Sequence, residues 1–325
     1  MRHTVSLIML LGASASILTV AEVPFNGKSG EALLQGVAAA SRPVTVVDKS
    51  KLDFSMRDEF TGTDIAVCAG KLPDGYSWNC FVPSEWWDNS KDIYGAMVSG
   101  DIYNLLPLTD GTARNRRELV PGTVTTPVFS NQWWSAGQGI IYGVETDLYS
   151  PPEALRGELA RAFFYMAAVY HVSLWTPRGF MMMTTKAYPG LTEYALTLLL
   201  DWHRAYPASQ QEREKNERGE ALQGNRNPFV DYPDLAEYIW GTHKDDSFIV
   251  EGEPQPLRST YSLATDRIDL YSPDVPADAE WMIDGLPTAS TSVPATDLGM
   301  GEHRLSYTSR STGEKGIVLI KILDR

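Results

Sequence analysis

The sequence predicts an α+β fold in two parts: a mixed domain with several packed helices, then a small all-β sandwich of immunoglobulin-like type. Three observations predict it. The chain has 325 residues, 43% hydrophobic and 21% charged, which is enough for a sizeable core and two domains. Apolar residues recur at helical spacing in Leu155, Leu159, Phe163, Ala167 and Tyr170, and again from Leu191 to Trp202. Beyond about residue 257 the pattern changes to short β-type runs separated by turn residues. The division that follows is a leader at 1–21, a mixed domain at 22–246, a linker at 247–256 and a β domain at 257–325.

The leader reads as a secretory signal. Arg2 and His3 precede the apolar run Val5 to Leu11, and Thr19-Val20-Ala21 offers a small-residue cleavage site. Gly12, Ser14 and Ser16 interrupt a run already short for a membrane span. Export to the periplasm, cell surface or medium is expected. In an exported chain, Cys68 and Cys80 either close a disulfide or remain two free thiols. The net charge of −13 excludes a protein held to nucleic acid by its global field. Any nucleic-acid contact has to be a local basic groove.

In chain order, Gly30 to Val37 has helical spacing, and Val44 to Val47 reads as a short strand or extended segment. Pro73-Asp74-Gly75-Tyr76 is a turn. Asp101 to Arg117 places one amide, Asn104, at the head of an apolar run, then a Thr109-Asp110-Gly111 turn, then Asn115-Arg116-Arg117. An amide oxygen can hold a hard cation, and arginine forks match phosphate oxygens, so the stretch is a candidate phosphodiester site. Residues 122–150 read as loops and a short strand, with Trp133-Trp134 half in the core and half at the surface.

Pro151-Pro152-Glu153 opens the first long helix, whose Arg156 and Arg161 lie off the apolar stripe. Pro207 stops the second, and Ser209-x-x-Glu212 caps a third whose charges from Glu212 to Glu220 predict a solvated face. Gly224 fits a left-handed cap ahead of Asn225-Arg226-Asn227-Pro228, where Arg226 is a second candidate phosphate ligand. Glu251 to Pro256 reads as linker, and Asp284-Gly285 as a hairpin turn in the β domain.

Three of these blocks resemble the endonuclease I family, secreted nucleases with a ββα-metal (His-Me finger) core. Asp101 to Arg117 is similar to the family pattern D-L-[HN]-[HN]-L-x-P-[ST]-D-G-x-x-N-x-x-R. The others are Arg156 to Met166 and Gly224 to Pro233, the last continuing to Glu237-Tyr238-Ile239-Trp240-Gly241. A further segment, Trp78 to Trp87, lines up with the family's R-E-H-x-x-P-x-S-W block through Pro83 and Trp86-Trp87. The resemblance implies Mg²⁺-dependent hydrolysis of DNA or RNA, with Asn104 as metal ligand and Arg116 and Arg226 as phosphate ligands. It also implies a departure: Asn79 stands at the family's metal-binding glutamate, and Cys80 at its catalytic histidine. Activity is then either much weakened or lost, leaving an exported pseudo-nuclease that acts as a binding or surface protein. A substitute base would have to come from elsewhere, with His171, His203 and His243 as candidates.

Overall fold

The computed structural model of the protein describes residues 23–87, 96–173, 175–250, 257–270, 275–276, 278–288, 290 and 292–324. The leader at 1–21 and the Glu251 to Pro256 segment lie outside these residues.

The first apolar period forms α1 (Gly30–Ala40), which buries Leu33, Leu34 and Val37. Val44 to Val47 forms no strand: the chain bends at Val44 and Thr45, and the Val44 N–H donates to the Gln223 carbonyl at 2.9 Å. Hairpin β1 (Phe54–Asp58) and β2 (Thr63–Val67) follows. Next come β3 (Tyr76–Cys80), the short helix α2 (Ala96–Gly100) and β4 (Leu105–Thr109), with β3 and β4 pairing antiparallel across that excursion. The Thr109 hydroxyl accepts from the Thr112 N–H at 3.0 Å and so starts α3 (Asp110–Arg116) directly from the end of β4.

The segment expected to be mostly loop is a four-stranded sheet. It consists of β5 (Val120–Pro121), β6 (Thr126–Ser130), β7 (Ser135–Ile141) and β8 (Val144–Ser150), in the order β5-β8-β7-β6. Gly137 and Gly139 hid it from a period-two reading, yet in both places a side chain would collide with the backbone alongside, at Thr126 or Thr123. Trp134 is buried and Trp133 is 40% exposed, the split the sequence predicts.

Five helices complete this part: α4 (Arg156–Val169), α5 (Glu193–Ala205), α6 (Gln210–Gln223), α7 (Pro228–Asp231) and α8 (Leu235–Ile239). All of α4 except Arg156 and Glu158 is buried, well beyond the expected stripe, because α1, α5 and α7 all pack against it. Helix α6 departs further from expectation. Its Ser209 cap forms, with the hydroxyl accepting from the Glu212 N–H at 3.1 Å. Yet Glu212, Asn216, Gly219 and Gln223 make a buried stripe at helical spacing. Glu212 takes both prongs of the buried Arg161 at 2.6 Å, Asn216 and Gln223 bond to other segments, and a side chain at Gly219 would collide with the Tyr103 hydroxyl. Gly224 ends the helix at φ 79°, in the left-handed region.

Phe248 and Val250 pack into this first core, and the Phe248 backbone exchanges bonds with Gly27 and Lys28. These residues, expected in the linker, therefore belong to the mixed domain. A second, separate core belongs to the C-terminal strands. They are β9 (Thr260–Ser262), β10 (Arg267–Asp269), β11 (Ala279–Ile283), β12 (Leu286–Thr288) and β13 (Ser292–Pro294). After the one-turn helix α9 (Ala295–Leu298) come β14 (Gly301–Ser309) and β15 (Lys315–Leu323). Five strands form one sheet, β12-β11-β14-β15-β9, closed at one edge by the parallel pair β15-β9, and β10 and β13 form a second. Ile268 and Val293 from the small pair join Trp281, Leu305, Ile320 and Ile322 from the large sheet. Asp284 and Gly285 turn between β11 and β12 at φ 50° and 84°, as their dipeptide predicts.

Candidate functional site

The residues singled out in the sequence fall into two places. Asn79 and Cys80 end β3, opposite Leu106 and Leu105 of β4. Directly beyond them, the chain at Phe81 and Val82 is held by Asn104 and Arg116. The Asn104 main-chain carbonyl accepts from the Phe81 N–H at 2.8 Å. Its side-chain oxygen accepts from the Val82 N–H at 2.9 Å, and its NH₂ donates to the Val98 carbonyl at 3.2 Å. Asn104 is fully buried. The amide expected to face a cation thus clamps the loop after β3.

Arg116 is also turned inward. Its Nη2 donates to the Phe81 carbonyl at 2.6 Å, and its guanidinium lies 5.0 Å from the centre of the Tyr149 ring. Its Nε is buried with no partner. Arg226 sits apart, on the connection between α6 and α7. It bonds both oxygens of Asp231, at 2.8 and 2.7 Å, and Glu220 at 2.9 Å. These carboxylates push its pKa above the ordinary arginine value. Both guanidinium groups expected on phosphate are committed within the protein.

The two cysteines are free thiols. Burial pushes the Cys80 thiol up to about 11, although Arg116 and Lys49 pull in the other direction. Asn79 is half-buried, and its NH₂ donates to the Ser77 carbonyl and hydroxyl, both at 3.2 Å. The three candidate histidines are each engaged with other groups. His203 Nε2 lies 2.7 Å from the Pro233 carbonyl, so it carries the proton, and Nδ1 faces Arg161. His171 bonds Ala168 and His243 bonds Asp246. Among the described residues, no three His, Cys, Asp or Glu side chains gather as a metal-holding group.

Two features escaped the sequence reading. Asp101 is a buried carboxylate that accepts from the Tyr165 and Tyr170 hydroxyls, Gln223 Nε2 and the Tyr103 N–H, at 2.7 to 3.0 Å. Burial nevertheless raises its pKa. Three of these partners, Tyr165, Tyr170 and Gln223, come from distant segments, so local sequence does not show the network. The second is the pair Arg114 and Arg117, both exposed at the end of α3 beside Asn115, in a groove facing β6 and β7. Here a signal existed. Laid on Asp110-Gly111, the D-G-x-x-N-x-x-R spacing falls on Arg114 and Arg117, which makes Arg117, and not Arg116, the counterpart of the pattern's arginine.

Paired strands β3 and β4 leading straight into α3, packed with further helices, make an α+β arrangement. The chain belongs to the Endonuclease I family, whose model matches residues 34–234, more than half the sequence. It is 35% identical over 97 residues to an extracellular ribonuclease of Bacillus subtilis (strain 168), covering 29% of this chain and 33% of that protein. It is 38% identical over 82 residues to an extracellular deoxyribonuclease of Aeromonas hydrophila, covering 25% and 29%. A periplasmic deoxyribonuclease of the same organism is 32% identical over 143 residues, covering 41% and 48%. The chain thus spans about a third of the first two relatives and about half of the third. No helix among the described residues is long and apolar enough to cross a membrane.

Proposed function

We propose that this is an exported nucleic-acid-binding protein built on the endonuclease I scaffold, with phosphodiester hydrolysis lost or reduced to a trace. The observation that carries the reading is the Cys80 thiol, held protonated at the strand end where the family resemblance puts a histidine. Burial pushes that thiol up to about 11, so it stays protonated at neutral pH. A neutral thiol cannot take a proton from water, and general-base help is worth about 10² to 10⁴ in rate.

The residues present do not fit the family's magnesium. A hard divalent ion wants several oxygen ligands, carboxylates above all. Asn79 is neutral, and the Asn104 oxygen is buried and already accepts from Val82. Export is supported by the leader-like residues 1–21 and by the similarity to extracellular and periplasmic proteins. The C-terminal β unit is read as a surface or secretion module.

The test is cleavage of plasmid DNA and of RNA by the purified protein, with Mg²⁺ and with EDTA, beside the restoring pair Asn79→Glu with Cys80→His. Inert wild type and a pair that cuts support the reading. Wild type that cuts in Mg²⁺ and stops in EDTA overturns it in favour of a working nuclease with its base elsewhere.

A further inference from the structure

The free cations of this acidic chain point to where a nucleic acid would lie. Among the described residues, Arg57, Arg161, Arg178, Arg204, Arg226, Arg258 and Arg310 pair with carboxylates. Among the described residues, no hydrogen bond, ion pair or ring contact holds the guanidinium of Arg114 or Arg117. Both are exposed, and both line one groove with Asn115. The opposite bank is β6, where Val128 is 89% exposed and Phe129 half-buried; Asp147 is the one carboxylate in the lining.

Arg117 is also conformationally costly. It caps α3 at φ 46°, ψ −134°, a position that favours glycine. A non-glycine residue held in such a region costs about 1–3 kcal/mol, and such strain concentrates at functional sites. The negative end of a helix dipole favours basic residues in a last turn. That effect accounts for arginine near the end of α3. It does not account for two unpaired guanidinium groups converging on a groove with an open apolar wall.

We propose that this groove binds single-stranded nucleic acid without a metal. Arg114 and Arg117 take backbone phosphate oxygens, and Val128 and Phe129 take an unpaired base. Arginine forks match phosphate geometry, and apolar or aromatic walls reach base faces only where the strand is not paired. The inference rests on the nucleic-acid-binding reading above and gives it an address.

The experiment is fluorescence anisotropy with short end-labelled single-stranded DNA, single-stranded RNA and a duplex of the same sequence. It is run in EDTA across a salt series. Wild type, Arg114→Ala with Arg117→Ala, Arg114→Lys with Arg117→Lys, and Arg178→Ala as a paired-arginine control are compared. The expected result is wild-type binding in EDTA, stronger for either single strand than for duplex. The double alanine variant should lose about tenfold or more in affinity, and its slope of log affinity against log salt should fall by about 1.4, from two single-strand contacts at about 0.7 each. The lysine variant should keep the slope, and Arg178→Ala should match wild type. Wild-type binding with an unchanged slope in the double alanine variant overturns the groove alone. Duplex bound as well as single strand overturns the strand preference. No wild-type binding at all overturns the groove and the functional reading together.

Discussion

Helix α3 and its cap carry three arginines in four residues, and they meet opposite fates. Arg116 turns inward, bonds the Phe81 carbonyl and covers the Tyr149 ring. Arg114 and Arg117, two before it and one after it, face solvent with nothing attached. A step of one residue rotates a helix by about 100°, so neighbours in sequence serve different surfaces. The inward side, with Asn104, is bonded to the loop after β3. The outward side keeps groups ready for a ligand. Residue type alone did not separate them; helical phase sets Arg116 apart from Arg114, and the non-helical cap at φ 46° carries Arg117 out of that phase.

That contrast can be broken by stability measurements. The largest effect is expected from Asn104→Ala, which strips the Val82 N–H of its partner and opens a buried gap. It should cost about 2–4 kcal/mol in urea unfolding. A loss below about 1 kcal/mol would mean that the amide is free to serve elsewhere. Arg116→Ala comes next, at about 1–3 kcal/mol, since it leaves the buried Phe81 carbonyl unbonded. Arg114→Ala should stay within about 0.5 kcal/mol, as an exposed side chain without partners. Arg117→Gly should raise stability by about 0.5–1 kcal/mol by relieving a left-handed backbone. A destabilised Arg117→Gly would show that its side chain holds the fold.

The Cys80 thiol sharpens the same contrast by pH. Its folded pKa lies above the ordinary thiol value of 9.0, so it favours folding fully below that value. That contribution is lost as pH rises toward about 11. In a Cys68→Ser background, iodoacetamide labelling of the folded protein should stay slow at pH 8 and accelerate only toward pH 11. Fast labelling at pH 8 would mean an accessible thiolate and reopen the case for a cysteine base.

What the sequence made legible was local. The caps at Ser209 and Gly224, the Asp284-Gly285 turn and the division of labour between Trp133 and Trp134 all follow from neighbours a few residues away. The family was legible for a similar reason, because its signature lies in short contiguous blocks. What stayed hidden depends on long separations. Glu212 reads as one charge in a solvated run until Arg161, 51 residues away, arrives to meet it. Asn104 and Arg116 read as ligands because their types fit phosphate and metal. Only the packed chain shows that Val82 and Phe81 had already taken them.

Helix α6 carries this logic furthest. Glu212, Asn216 and Gln223 seat it through directional bonds, while Gly219 lets the Tyr103 ring lie directly against it. Grease tolerates a slide, since one apolar contact exchanges for another at little loss. Here a shift of a single turn would unmake every rung at once and drive a side chain into Tyr103. The helix is therefore less a slab of core than a key, and its teeth set the alignment of α4, the Asp101 carboxylate and the Asn227 turn in one fit.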